Sequence, residues 1–251
     1  MINLLILKKN LPRPLWKILR WFYHRFYLGI KWDKSLIEDL SEYFGLTEKE
    51  VVSYLKKGRK LNADLWKMSD PKDEEEIRKF YSFTPYYIFS LAFWHMQKYQ
   101  RDFRGQVVKY ARGDVLDYGA GIGDLSIDFS KKGLNVRYAD LKGKSFEFAN
   151  WLFKKHGFDI KMIDLDKEAL TQEYDTVVCV DVIEHVVNPQ DLLKDLAAHI
   201  KKGGQLIITN LYFEDISEDS PMHFKIGFDA ENYLRSFGFE KKEFPWLWKK
   251  I

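Results

Sequence analysis

Cysteine is almost missing from this chain: the 251 residues contain one, Cys179. A single cysteine cannot close an internal disulfide, so a disulfide framework is excluded and a reducing, cytoplasmic setting is expected. No apolar run approaches the ~18 residues needed to cross a bilayer, which excludes a membrane-spanning helix. The apolar opening Met1–Leu7 is too short for a secretory leader, and its lysines follow it instead of preceding it. Internal repeats and low-complexity tracts are lacking too, so a repeat array is not expected.

What the chain has in excess is aromatic residues, with 19 Phe, 14 Tyr and 8 Trp. That is more apolar ring surface than a small core requires. The net charge of +3 conceals a strong asymmetry. Lys8, Lys9, Arg13, Lys17, Arg20, Arg25, Lys31 and Lys34 face a single acid, Asp33, within residues 1–34. The remainder is net acidic, so the basic excess sits at one end.

Two patterns meet near residue 106. Residues 1–105 read as all-helical. Leu15, Leu19, Phe22, Phe26 and Ile30 form an apolar stripe at helical spacing. A helix is expected over Ser35–Phe44, and another begins at the capping box Thr47-Glu-Lys-Glu50. A long aromatic helix is expected from Asp73 to Arg104, bent at Pro85. Residues 106–251 instead alternate short β-branched runs with helices. Strands are expected at Asp114–Asp117, Asn135–Ala139, Asp159–Ile163, Thr176–Val182 and Gln205–Thr209. Asn188-Pro189 opens a helix that Gly203-Gly204 stops, and Asp229 caps the last one. This alternation predicts an α/β domain, a doubly wound and mostly parallel sheet covered by helices on both faces.

The chemistry concentrates in Val115-Leu-Asp-Tyr-Gly-Ala-Gly-Ile-Gly-Asp124. Gly119, Gly121 and Gly123 directly after a strand allow a tight turn that brings backbone close to a ligand at a helix N-terminus. The spacing is G-x-G-x-G, not the G-x-G-x-x-G of dinucleotide sites, which disfavours a nicotinamide-dependent oxidoreductase. Asp117, two positions before the first glycine, suits an ammonium group better than a pyrophosphate. Asp140 ends the second strand, where a carboxylate can accept hydrogen bonds from both hydroxyls of a ribose.

These residues resemble those of class I S-adenosylmethionine-dependent methyltransferases over about residues 106–251. Asp117-Tyr-Gly-Ala-Gly-Ile-Gly123 is similar to that family's first motif and Asp140 to its second. Tyr174-Asp-Thr-Val-Val-Cys-Val-Asp-Val-Ile-Glu-His185 is similar to the fourth-strand motif of its small-molecule methylating branch. The resemblance implies a Rossmann-like methyltransferase fold with S-adenosyl-L-methionine as cofactor. Asp117, Tyr118 and the glycines would hold the methionine part, Asp140 and Leu141 the ribose, and Asp164 the adenine, with Asp166 the rival for that role. Asp181 is placed in the cofactor pocket. The family's sheet has seven strands with the last antiparallel. Here only Phe239–Ile251 follows the final helix, with Pro245 in its middle, so strand 6 is expected and strand 7 is not counted on.

The fourth-strand segment leaves three readings open. It resembles the Glu-x-x-Glu-His segment of metal-dependent 2′-O-methyltransferases of small RNAs and of quinone-pathway O-methyltransferases, with Asp181 replacing the first Glu. In that reading Asp181, Glu184, His185 and His223 would hold Mg²⁺ or Mn²⁺. Alternatively, Glu184 and His185 only shape the pocket, as in metal-free relatives, or His185 or His223 is a general base. Methyl transfer itself needs chiefly alignment of acceptor, methyl carbon and sulfur. A cofactor-binding module without turnover is the rival from another class.

Leu46–Leu55 has the outline of a helix-turn-helix, but it opens with Glu48 and Glu50, which repel phosphate. Asp181-Val-Ile-Glu184 also stands where base-methylating enzymes carry an Asn/Asp-Pro-Pro-Tyr sequence. Both observations argue against nucleic acid as partner, leaving a small-molecule or lipid-linked acceptor methylated on O or N. Phe80–His95, with Tyr81, Tyr86 and Tyr87, is expected to form a helical lid that excludes water. Residues 15–32 and 244–250 combine cations with aromatic rings. They suit either peripheral docking on the inner membrane surface or packing against the body or a second copy in a homodimer.

Overall fold

The computed structural model describes residues 29–213 and 220–251. The basic segment before residue 29 and the Leu15–Ile30 stripe expected there therefore lie outside the described residues, apart from Ile30. Among the described residues five helices come first: α1 (Lys34–Phe44), α2 (Glu48–Ser69), α3 (Glu74–Phe83), α4 (Tyr86–His95) and α5 (Lys98–Tyr110). The Asp33 carboxylate caps α1 by accepting from the Leu36 amide, and Thr47 and Glu50 close both halves of the capping box on α2.

The long aromatic helix expected over Asp73–Arg104 is in fact three helices. Thr84 takes an extended conformation ahead of Pro85 and ends α3. A second break falls at Met96-Gln97, where the segment Gly29–Lys31 pairs with the joint. Lys31 N–H donates to the Met96 carbonyl and Lys98 N–H to the Gly29 carbonyl, each at 2.8 Å. A backbone partner far away in sequence outcompeted helix continuation, which no local periodicity records.

The α/β part follows as β1 (Asp114–Tyr118), α6 (Asp124–Lys131), β2 (Asn135–Asp140), α7 (Lys144–His156), β3 (Lys161–Asp164), β4 (Tyr174–Cys179), α8 (Pro189–Ala198), β5 (Ile200–Ile208), α9 (Ala230–Ser236), β6 (Phe239–Lys241) and β7 (Leu247–Lys250). They form one seven-stranded sheet in the order β3-β2-β1-β4-β5-β7-β6. The first five strands are parallel, and β7 runs antiparallel to both β5 and β6. Strand 7, not counted on from the residue pattern, is present because Pro245 falls in the turn between β6 and β7, where its missing N–H costs nothing. Gly203-Gly204 does not stop α8; it lies inside β5. The register slips there between the Tyr174 and Thr176 pairings, and a Cβ on Gly204 would come within 2.8 Å of both Ile200 Cγ2 and the Lys201 carbonyl. The two glycines form a bulge.

Burial on both faces explains the consecutive apolar residues Val115-Leu116 of β1 and Val177-Val178-Cys179 of β4. One core layer joins the sheet to the N-terminal helices, running from Leu40, Leu55 and Ile88 through Ile122 to Phe148. The other lies beneath α8 and α9, around Leu192, Leu196, Leu234 and Trp248. Much of the aromatic excess is packed here. Phe244 and Trp246 stack at 4.8 Å and meet the Tyr110 ring of α5 edge-on, while Leu247 and Trp248 are buried. Among the described residues no helix is long and apolar enough to cross a membrane.

Helices α2 and α4 cross at Gly58, where a Cβ would sit 2.9 Å from the Ser90 nitrogen and 3.1 Å from the Phe89 carbonyl carbon. Gly105, in α5, has nothing within 4 Å of the same added atom. Alanine at both positions therefore acts in opposite directions. Gly105→Ala should raise stability by about 1 kcal/mol through helix propensity. Gly58→Ala should lower it despite the same propensity gain, because backbone atoms must separate. Denaturant unfolding of the two variants checks the signs.

Candidate functional site

Strand order reverses between β1 and β4, and the crevice outside their C-terminal ends is where open α/β sheets bind ligands. A cavity of about 610 Å³ occupies that crevice. Asp117, Tyr118, Gly119, Gly121, Asp140, Leu141 and Asp181 line it, and Ile77, Tyr81, Tyr87, Leu91, Trp94 and Arg104 of α3–α5 close it from the other side.

The turn after β1 has the shape its glycines permit. Gly119, Gly121 and Gly123 all have positive φ, between 57° and 77°. Each glycine also answers to a neighbour. A Cβ on Gly119 would strike Val182 Cγ2 at 2.4 Å and one on Gly121 would meet Leu91 Cδ1 at 2.9 Å. Gly123 does not line the cavity; a Cβ there would meet Phe153 Cζ of α7 at 2.7 Å. Its absent side chain serves helix packing. The buried Tyr138 hydroxyl donates to the Gly121 carbonyl at 2.8 Å and steadies the turn from below.

Two carboxylates stand at the lip of this turn. Asp117 is buried and accepts from the Ser126 hydroxyl at 2.6 Å, yet burial still pushes its pKa up to about 7. Asp140 accepts from the Gly121 and Leu141 amides at 2.6 and 2.7 Å, and burial raises it to about 6. Both are carboxylates whose charge is held at a cost, next to a concave run of backbone that a side chain would fill. That arrangement fits a ligand offering a cation beside Asp117 and hydroxyl donors beside Asp140.

Asp164 is buried but does not line the cavity. Its carboxylate accepts from the Asp166 amide at 3.1 Å, and Leu165 borders the cavity in its place. Asp166 pairs with Arg78 of α3 at 3.2 Å.

Beyond β4, Asp181 sits at φ 56°, a conformation uncommon outside glycine. It is held by four neighbours. Trp94 Nε1 donates to it at 2.9 Å, Thr209 Oγ1 and Asn210 Nδ2 each at 3.1 Å, and Gln100 Nε2 at 3.5 Å. Glu184, His185 and His223 form a separate group whose potential ligand atoms all lie within 4.8 Å of one another. Asp181 is not part of it, so the four-residue metal set expected from sequence reduces to three. Glu184 accepts from Asn210 through one oxygen and leaves the other buried without a partner; His223 Nδ1 is likewise buried and unpartnered. Burial raises Glu184 to about 8 and lowers His185, with His223 beside it, to about 3. Only His185 of the three lines the cavity, and its Nδ1 lies 2.7 Å from the Tyr81 hydroxyl.

Sequence reasoning placed Phe80–His95 over the site but passed over Trp94 of α4 and Arg104 of α5. Arg104, its side chain 10% exposed, places Nη2 2.6 Å from Asp124 Oδ1, and His95 Nδ1 lies 2.9 Å from the other oxygen. Burial alone would raise Asp124, but Arg104 and His95 hold it well below the ordinary carboxylate range. Arg104 and Trp94 lay in a stretch dominated by aromatic residues, and nothing in a one-dimensional pattern tells a lid from a wall.

An open, mostly parallel sheet, a glycine turn at its reversal point and acids ending β1 and β2 define a class I S-adenosylmethionine-dependent methyltransferase. The chain belongs to the family described as methyltransferase domain, whose model matches residues 93–248. It is 33% identical over 100 residues to a ubiquinone biosynthesis O-methyltransferase of Rickettsia felis, covering 39% of this chain and 41% of the relative. A protein of the same name from Dechloromonas aromatica is 32% identical over 114 residues, covering 44% and 49%. The chain thus spans two-fifths to half the length of these curated relatives. Among solved structures it is similar to magnesium protoporphyrin IX methyltransferase of Synechocystis, with 20% identity, 60% and 79% coverage and a TM-score of 0.45.

The raised pKa of Asp117 has a definite sign. The ionised form, which attracts an ammonium group, prevails only above about pH 7. Affinity for S-adenosylhomocysteine should therefore fall, by up to roughly tenfold per unit, as pH drops below that value. Asp117→Asn should bind weakly at all pH values. Because ionising a buried acid opposes folding, the same variant should melt higher than the parent at pH 8 without ligand. Calorimetry and thermal melts check both limbs.

Proposed function

We propose that this chain transfers a methyl group from S-adenosylmethionine to a hydroxyl oxygen of a small, neutral aromatic acceptor. The observation that carries the reading is one cavity joining the Asp117–Gly121–Asp140 turn to the rings of Tyr81, Tyr87 and Trp94. The name borne by the Rickettsia and Dechloromonas relatives favours oxygen over nitrogen, and the rings of Tyr81, Tyr87 and Trp94 favour an aromatic acceptor. The cofactor supplies a methyl carbon already activated by its sulfonium.

The residues divide the remaining work. Asp117 and the turn hold the amino end of the methionine portion, and Arg104, supplied by α5, faces its carboxylate. Asp140 holds the ribose. Tyr81 and Tyr87, whose hydroxyls burial keeps protonated, present neutral rings and donors to the acceptor. His185, neutral near pH 7, accepts a hydrogen bond from the acceptor hydroxyl and orients its lone pair toward the methyl carbon. When the C–O bond forms and the C–S bond breaks, the hydroxyl proton leaves toward solvent or His185.

Helix α3 serves as a lid. Arg78 pairs with Asp166 on the far side of the cavity mouth, and Asn188 donates to Glu74 at 3.4 Å. At its C-terminal end α3 presses on the turn after β2, where a Cβ on Gly143 would lie 2.4 Å from Ser82 Cα.

Titration with S-adenosylhomocysteine and with NADH tests the donor. Heat should appear with the first and not the second, and Arg104→Gln should weaken the first at least tenfold while remaining folded. Transfer of labelled methyl to catechol-type, aliphatic and amine acceptors then tests the acceptor class. Equal transfer to all three would refute an aromatic hydroxyl preference.

A second reading has its own observation. Glu184, His185 and His223 offer one oxygen and two nitrogens, two of the three residues carrying a buried atom with no partner, which is a donor set that fits a divalent cation. Such a cation would lower the pKa of an acceptor hydroxyl. Chelation separates the two. A metal-assisted enzyme loses turnover with EDTA and recovers it with Mg²⁺ or Mn²⁺, whereas the metal-free reading expects no change.

A further inference from the structure

Away from the cofactor crevice, a second cavity of about 560 Å³ opens at the β2–β3 edge of the sheet. Its floor includes Arg137 and Lys161, with Thr171, Gln172 and Tyr174 around it. The fold explains why it exists. The β3–β4 connection contains no helix, so the face of β2 and β3 that α8 and α9 cover farther along the sheet is left open here.

The charges on this floor are out of balance. Arg137 and Lys161 are directly paired across parallel strands, so their side chains leave the same face side by side. Like charges so placed repel each other. No salt bridge joins either to a described carboxylate within 4.0 Å, unlike Arg104, Lys155 and Lys201; Asp114 is the carboxylate close enough to feel the Arg137 charge. The Arg137 Nε is moreover buried with no hydrogen-bond partner. Buried guanidinium donors are ordinarily satisfied, and leaving one unmet is costly. Glu168, the acid on the cavity wall, accepts from the Asp164 amide through Oε1 at 3.3 Å.

We propose that this cavity is an anion site distinct from the methyl-transfer site, built for a phosphate or phosphomonoester group. A tetrahedral anion would separate the two cations, satisfy the Arg137 fork and accept from the Thr171 hydroxyl or the Gln172 amide. Glu168 and Ala169 line both this cavity and the cofactor crevice, so the segment between the sites is shared. Occupancy of the anion site therefore bears on the adenine side of the cofactor site through one short stretch of backbone.

The test uses the full chain with inorganic phosphate and glycerol 3-phosphate as probes, at ionic strength held constant with chloride. Calorimetry should show saturable binding, at least tenfold weaker in Arg137→Gln and two- to threefold weaker in Lys161→Gln, and Arg137→Lys should recover part of the loss. Tighter binding of glycerol 3-phosphate marks a phosphomonoester as the occupant; tighter binding of phosphate marks the free ion. Where Arg137 variants fail to fold, the exposed pair Lys161→Gln/Thr171→Val carries the test alone. Absence of saturable binding, or equal binding in the parent and its folded variants, overturns the site. Homocysteine-nucleoside binding is measured separately, so the methyltransferase reading stands or falls independently of this result.

Discussion

Two carboxylates kept out of water at the ends of neighbouring strands are the constraint from which the rest follows. Asp117 and Asp140 are placed by the twist and register of β1 and β2, and the glycine turn bends back over them because its φ angles are open to no other residue at comparable cost. Nothing inside the protein fully compensates their burial, which is why both pKa values rise. Energy withheld in folding is available on ligand binding, since a cation and hydroxyl donors restore what desolvation took away. The turn is thus unfinished as protein structure and complete only around a ligand of matching polarity.

The α/β part does not complete the site by itself. Arg104, Trp94 and Tyr81 come from three separate helices, and the core layer under them runs without interruption into Ile122 and Phe148 beside the turn. The breaks at Thr84-Pro85 and Met96-Gln97 let those helices change direction over the crevice, so that cation, indole and phenol converge. A straight aromatic helix from residue 73 to 104 would have delivered at most one of them.

Most of the fold could be read from the sequence because its signals are local. Strand and helix alternation after residue 113, the Thr47–Glu50 box, the Asn188-Pro189 start and the glycine turn are each decided by residues adjacent in the chain. The misreadings share the opposite origin. Gly203-Gly204 looks like a stop, yet the partner strand accommodates it as a bulge; the helix break at Met96 depends on Gly29–Lys31. The site divides the same way. Asp117, Asp140 and the glycines announce themselves through spacing, whereas Arg104 is an unremarkable basic residue until Asp124 and His95 surround it. Asp181 borders the cavity, and its carboxylate accepts from four hydrogen-bond neighbours that no sequence spacing announces.

Gly143 ties the end of α3, the helix proposed above as a lid, to the loop after β2. With Ser82 seated where a methyl group would otherwise be, the end of α3 and the loop that carries Asp140 cannot move past each other freely. If α3 lifts, it must drag, or slip over, the backbone that carries Asp140. In the proposed reading, opening of α3 and loosening of the nucleoside would be one displacement, which would couple release of the spent cofactor to entry of the next acceptor.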